Sequence, residues 1–365
     1  MRSLRLWTVG ALIGAALAAA PISTARHSGV PSSRAVLAVR GVIRSIAPSP
    51  QRLVWIDGTW GLHVERPGRS TPTVRYTSQY EEGGDPHLVL GGARPVWLSD
   101  RGFPTETQRV FTLTAAGGAV AVARAQHLDR GDGGFISAVA GDPSGAAFGR
   151  ATVEQTAESR TQGCLCQFKL VGGGVSTVAD GVARVVPQLP PPALLARSGA
   201  RVALLPATTR VRRTGQPAPD PGASVIVASL ADGSSVSSFV PAGTVQAIAL
   251  SRRNVYVLVT ATGKERLEIH TAATGALLRL AAVPAHLADE LVVTPDDRVL
   301  YHDRHTIWAL AAANGRASVV RRTAWSVTQI AATGKTVSWI ERHILITGDD
   351  SAKGNRSRVV EATLP

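Results

Sequence analysis

The chain has 365 residues, 44% of them hydrophobic and 18% charged, which excludes global disorder. It carries 39 Lys+Arg against 26 Asp+Glu, a net +13, a balance that favours anionic partners. Two cysteines exclude a disulfide-dense scaffold and a Cys-rich zinc module, and 36 Gly and 22 Pro follow no collagen period.

Residues 1–25 have the pattern of a secretory signal peptide. Arg2 and Arg5 give a positive start, Leu6 to Ala20 is apolar, and small residues lead to a cleavage position after Ala25. The run is short for a membrane span of ~20 residues, the alternative reading being an uncleaved anchor. No later stretch approaches ~18 uninterrupted apolar residues, so no span is expected in the mature chain. Arg outnumbers Lys 35 to 4, a bias that suits a bacterial genome rich in G and C. The expected location is therefore secreted or cell-envelope associated, and export argues against nucleic acid as the target.

Beyond residues 26–40 the chain repeats. No sustained helical apolar period is found past residue 40, and Gly or Pro interrupts most windows. Short β-branched runs separated by turns recur instead. The first unit joins Val42 to Ile46, Arg52 to Ile56 and Leu62 to Val64. The second joins Leu88 to Leu90, Pro95 to Leu98 and Val110 to Leu113. The third joins Ile136 to Ala140, Ala146 to Phe148 and Cys166 to Leu170. The fourth joins Leu194 to Ala196, Arg201 to Leu205 and Ser224 to Ala228. The fifth joins Val245 to Leu250, Asn254 to Val259 and Arg266 to His270. The sixth joins Glu290 to Val293, Arg298 to Tyr301 and Thr306 to Leu310. The seventh joins Val327 to Ala331, Thr336 to Ile340 and His343 to Ile346.

Fourth strands are expected at Thr73 to Tyr76, Ala119 to Ala123, Val175 to Val178, Val236 to Val240, Leu277 to Leu280, Ala317 to Val320 and Arg358 to Ala362. The spacing approaches the ~40–50 residues of a four-stranded propeller blade. The expectation for residues 41–365 is thus an all-β, seven-bladed β-propeller of four-stranded antiparallel blades. Each small sheet would cover its neighbour's apolar face. Ala35 to Val39 is one strand more than the count needs, a candidate for closing the ring on the last blade.

Thr294-Pro295-Asp296-Asp297-Arg298-Val299-Leu300-Tyr301 resembles the turn and strand of bacterial TolB-like and YVTN-type propeller repeats. Leu267 to Leu278 and Ile307 to Gly315 are similar to the third strand and turn of WD-repeat and quinoprotein-like blades. The resemblance runs over about residues 41–362 and is clearest from 245 to 347. It implies the repeat architecture. The Trp-Asp and Gly-His pairs of true WD repeats are absent.

The search for chemistry yields little. No zinc-protease, nucleophile-elbow, phosphate-loop or dinucleotide motif is present, so no catalytic residue, metal ligand or cofactor is assigned. His302-Asp303-Arg304-His305 reads as a polar hairpin turn. His63, His270 and His343 read as polar residues on half-buried third strands. Cys164 and Cys166 are the only pair available for a disulfide in an oxidising compartment, although a regular strand would hold their Cα atoms near the upper limit for bridging. Pro187 to Pro192 reads as an extended linker between blades. Pro206 to Gly222 reads as a long exposed loop whose Arg210, Arg212 and Arg213 are candidate anion contacts.

The favoured function is a monomeric, non-catalytic binding or scaffold module for a protein, a peptide or an anionic envelope polymer. The alternative is a propeller enzyme, such as a hydrolase, a lyase or a quinoprotein-like oxidoreductase, with a site at the channel mouth. A channel mouth collecting His, Asp and Glu from different blades would favour the enzyme. A channel lined by the aliphatic residues of Val245 to Leu250 and Val327 to Ala331 would favour binding.

Overall fold

A computed structural model describes residues 31–49, 52–58, 61–65, 88–99, 108–114, 118–125, 132–163, 167–208, 210–212, 219–284, 287, 290–344 and 354–364. They form seven antiparallel sheets and a single short helix. The innermost strands are β2 (Ile43–Ser49), β5 (Leu88–Gly91), β9 (Asp132–Asp142), β13 (Pro192–Ser198), β18 (Thr244–Leu250), β22 (Val292–Val293) and β26 (Ser326–Thr333). Each touches the next, and β26 touches β2, so the ring is closed. The seven-bladed propeller is the observed fold.

Five blades follow chain order. They add β6 (Arg94–Ser99), β7 (Gln108–Leu113) and β8 (Ala119–Ala125) to β5, and β10 (Gly145–Gln155), β11 (Gln167–Ala179) and β12 (Val182–Val186) to β9. They add β14 (Arg201–Pro206), β16 (Val225–Ser229) and β17 (Ser235–Phe239) to β13, and β19 (Asn254–Ala261), β20 (Lys264–Thr271) and β21 (Leu277–Ala282) to β18. To β22 they add β23 (Arg298–His302), β24 (Thr306–Ala311) and β25 (Ala317–Arg322). The first blade shows β2, β3 (Arg52–Asp57) and β4 (Leu62–Glu65). Its candidate fourth strand, Thr73 to Tyr76, lies outside the described residues.

The packing explains why the second strands read as continuous apolar runs. A central strand of a blade is covered on both faces. Along β19, Val255, Val257 and Val259 join the core shared with the fourth blade, while Tyr256 and Leu258 join the core shared with the sixth. Each of the seven seams between blades has such a cluster. The innermost strand behaves alike: Val245, Ile248 and Leu250 face one neighbour, Ala247 and Ala249 the other. These aliphatic residues, expected along the channel, are spent on the seams.

The ring closes between its first and last strands. β1 (Ser33–Arg40) pairs antiparallel with β28 (Arg356–Thr363), which pairs with β27 (Thr336–His343), which pairs with β26. This corrects the strand assignment of the last blade. Arg358 to Ala362 belongs to the third strand and β1 is the fourth, while His343 ends the second strand. The join is sealed by polar contacts. Ser357 Oγ donates to the Gly41 carbonyl at 2.9 Å and accepts from Ile43 N at 3.1 Å. Arg342 Nε donates to the Ile43 carbonyl at 2.8 Å.

The third blade also departs from expectation. Cys166 to Leu170 and Val175 to Val178 were expected as separate strands, yet β11 runs unbroken from Gln167 to Ala179. The fourth strand is β12. The glycines of Gly172-Gly173-Gly174 serve close approach within the blade. Gly173 has φ +128°, and a Cβ there would lie 2.1 Å from the Arg150 carbonyl oxygen.

Candidate binding face

The two ends of the ring differ. At one end every connection between described strands is tight, none longer than 230–234. The connections 100–107, 156–166, 207–224, 283–291 and 344–355 all join strands at the other end. Loops held by a rigid scaffold are where binding residues concentrate.

One part of that end is built up from regular structure. β9, β10 and β11 have 11, 11 and 13 residues, against 7 in β13. The Asp142 turn of this blade is level with the next blade's turn, because Asp142 accepts a hydrogen bond from Gly199 N and pairs with Arg197. The extra length therefore projects from the loop end, by roughly 13 Å at ~3.3 Å per residue. Phe135, Val153 and Phe168 form a small core of their own there, with Leu170 against it.

Two further elements complete this platform. Helix α1 (Ala157–Thr161) starts at Thr156, whose hydroxyl accepts from Ser159 N at 3.2 Å, the usual N-cap bond. Ser159 is fully buried, and its hydroxyl accepts from Gln155 Nε2 at 3.3 Å and Gln167 N at 3.4 Å. The other element is β15 (Arg210–Arg212), which pairs with Gln167 to Lys169 on β11. The stretch read as an exposed loop, Pro206 to Gly222, thus sends a strand from the fourth blade across to the third. Arg210 and Arg212 lie on that strand. Arg213, Cys164 and Cys166 lie outside the described residues. A small pocket lies beside the return of the same connection, lined by Pro219, Asp220, Pro221, Pro241 and Thr244 among others.

Carboxylates and imidazoles pair locally. His63 Nε2 lies 2.7 Å from Asp57 Oδ2, with the ring stacked on Trp55 at 3.9 Å. His270 has Nε2 at 3.0 Å from Glu268 Oε2 and Nδ1 at 3.0 Å from the Gly275 carbonyl, and stacks on Phe239. His302 has Nε2 at 3.3 Å from Glu290 and Nδ1 at 2.9 Å from the Asp303 carbonyl. Burial pulls the His302 imidazole down, but the hydrogen bond to Glu290, its charge and the Asp303 carbonyl outweigh this and hold the pKa above the usual value.

These pairs sit on different blades and do not converge. Among the described residues no three His, Cys, Asp or Glu side chains come together as a metal site. His302 to His305 does form the expected polar turn, with Asp303 Oδ1 accepting from His305 N at 2.6 Å and Thr306 N at 2.7 Å. His343 stands against Trp325.

Sequence reading missed the side chains that cap the channel edge. An innermost strand has one edge with no strand beside it, so its backbone groups need other partners. Gln329 Oε1 accepts from Ile46 N at 2.8 Å and from Ser45 Oγ at 3.1 Å. Ser45 Oγ in turn accepts from Leu88 N at 3.3 Å. Glu290 Oε2 accepts from Ile330 N at 3.0 Å, and Gln108 Oε1 from Ile136 N at 2.6 Å. Their only sequence signal is a polar residue next to an apolar strand, which is common.

No family model matches the chain, and no curated protein matches its sequence. Solved structures do. The WD40 domain of Pan2 from Neurospora crassa aligns with 10% identity and a TM-score of 0.52, over 92% of this chain and 97% of that one. The computationally designed Ika8 protein aligns with 13% identity and a TM-score of 0.52, over 90% and 98%. At this identity the likeness concerns the fold alone.

Proposed function

We propose that this chain is an exported, non-catalytic propeller that presents its loop end to a protein or peptide partner. The observation that carries this is the asymmetry of the ring: the long connections and the raised platform of β9, β10, β11, β15 and α1 share one end. WD40-type propellers commonly serve as interaction scaffolds, which agrees with the reading. Export rests on the signal-like residues 1–25. The local pairing of Asp57, Glu268 and Glu290 with histidines is a structural use of groups that an enzyme would bring together.

The test is site-specific photo-crosslinking in an envelope extract of the source organism. Probes at Glu154 and Glu158, exposed on the platform, are compared with probes at Asp180 and Asp232, exposed at the tight-turn end. One polypeptide captured from the platform positions only is the expected result. Capture that is equal at both ends, or absent from the platform, overturns the proposal.

A further inference from the structure

The tight-turn end carries a basic ring around the channel mouth. The turns joining each innermost strand to the second strand lie nearest the channel. There Arg201 stands in the fourth blade, Arg252 and Arg253 in the fifth and Lys335 in the seventh, whereas Arg94 of the second blade reaches outward to the Gly181 turn. Arg252, Arg253 and Lys335 are exposed, and Arg201 half-buried. None of these four forms an ion pair among the described residues. Arg52 and Arg298 occupy the matching position in the first and sixth blades.

The acidic residues of these turns are already engaged. Asp142 pairs with Arg197, and Asp296 with Arg298 at 3.0 Å. Asp297 accepts from Asn254 Nδ2 at 3.1 Å and from the Tyr256 hydroxyl. Asp180 and Asp232 lie in the outer turns, away from the channel. Cations that outnumber the carboxylates on one rim attract a multivalent anion.

We infer that this rim binds a linear, phosphate-bearing polymer. The cations come from blades spread around the channel, so an extended chain with repeating charge contacts them better than one compact anion. Three of the four are arginines, whose planar fork bonds two phosphate oxygens at once. The turns offer Ala93, Gly199, Ala200, Ser251 and Gly334 as neighbours, with no large apolar side chain to insert into a bilayer. The inference concerns the opposite end of the ring from the proposed partner face and stands without it.

The test measures binding of the full-length chain to fluorescent long-chain inorganic polyphosphate. The variant carries Arg201→Gln, Arg252→Gln, Arg253→Gln and Lys335→Gln. Raising salt from about 50 to about 200 mM is expected to weaken wild-type binding steeply, and the variant to lose at least about tenfold at low salt with a shallower salt slope. Arg210→Gln with Arg212→Gln, at the other end, is expected to bind as wild type. Should the four-site variant fail to fold, Arg252→Gln with Arg253→Gln, both exposed, gives the same reading with a smaller loss. Unchanged binding by the rim variants overturns the inference. So does an equal loss in the Arg210 and Arg212 variant, or binding to anionic phospholipid vesicles with none to polyphosphate.

Discussion

The Glu290 carboxylate holds the amide of Ile330 at 3.0 Å, across the seam between the sixth and seventh blades. The same oxygen faces His302 Nε2, whose other ring nitrogen faces a carbonyl. A charged imidazole satisfies both acceptors at once. The folded-state pKa of His302 is raised, so its contribution is complete below the unfolded value of about 6.5 and is lost as pH rises through the folded value. Wild type should therefore be more stable than His302→Gln at pH 5.5, by about 1–3 kcal/mol, with the gap closing at alkaline pH. Urea unfolding of both proteins across this range checks it. A gap that widens with pH contradicts the assignment.

Two buried tyrosines predict opposite outcomes. Tyr256 donates to the Asp297 carbonyl at 3.0 Å, tying the fifth blade to the sixth. The Tyr301 hydroxyl is buried without a partner among the described residues, and burial pushes its pKa up to about 12. Tyr256→Phe should cost about 1 kcal/mol, whereas Tyr301→Phe should be neutral or stabilising. Paired denaturant midpoints decide; a costly Tyr301→Phe would show that its hydroxyl is bonded.

Glycines in the left-handed region separate conformation from space. At Gly173 a Cβ would collide with the Arg150 carbonyl, while at Gly199, φ +60°, it would meet nothing within 4 Å. Gly199→Ala should cost about 1 kcal/mol, from backbone strain alone. Gly173→Ala should cost clearly more, because neighbouring backbone has to move. Thermal melts of the two variants rank them.

The closure predicts a large effect from a single buried carboxylate. Glu341 is fully buried in β27, accepting from Trp339 Nε1 at 2.8 Å and from Arg358 Nε at 2.8 Å on the adjoining β28. Glu341→Ala should lower stability by about 3 kcal/mol, since it strands a buried indole N–H and an arginine. Deleting residues 31–40 should also open the last blade, seen as faster hydrogen exchange along β28 and not along β19. Uniform exchange in both strands would refute β1 as the closing strand.

How much was legible depends on how local the cause is. Second strands such as Asn254 to Val259 announced themselves, because burial on both faces demands an unbroken apolar run. The turns at Thr294 to Arg298 and His302 to Thr306 were equally plain, since their side chains bond their own backbone. The division of β11 into two strands failed, because nothing local to Cys166 to Val178 shows that β10 is long enough to pair with all of it.

The repeat of short apolar runs, set by nothing more than the need of each small sheet to be covered on both sides, decided by itself that this chain is a seven-bladed ring. Which strand closes the ring, where Arg210 to Arg212 docks and which carboxylate caps which channel edge were decided only in the tertiary structure. Each joins residues far apart in the chain: Ile43 and Ser357, Gln167 and Arg212, Glu290 and Ile330. A polar side chain looks the same in sequence whether it meets water or an unpaired backbone amide, and only the closed fold brings that amide to it.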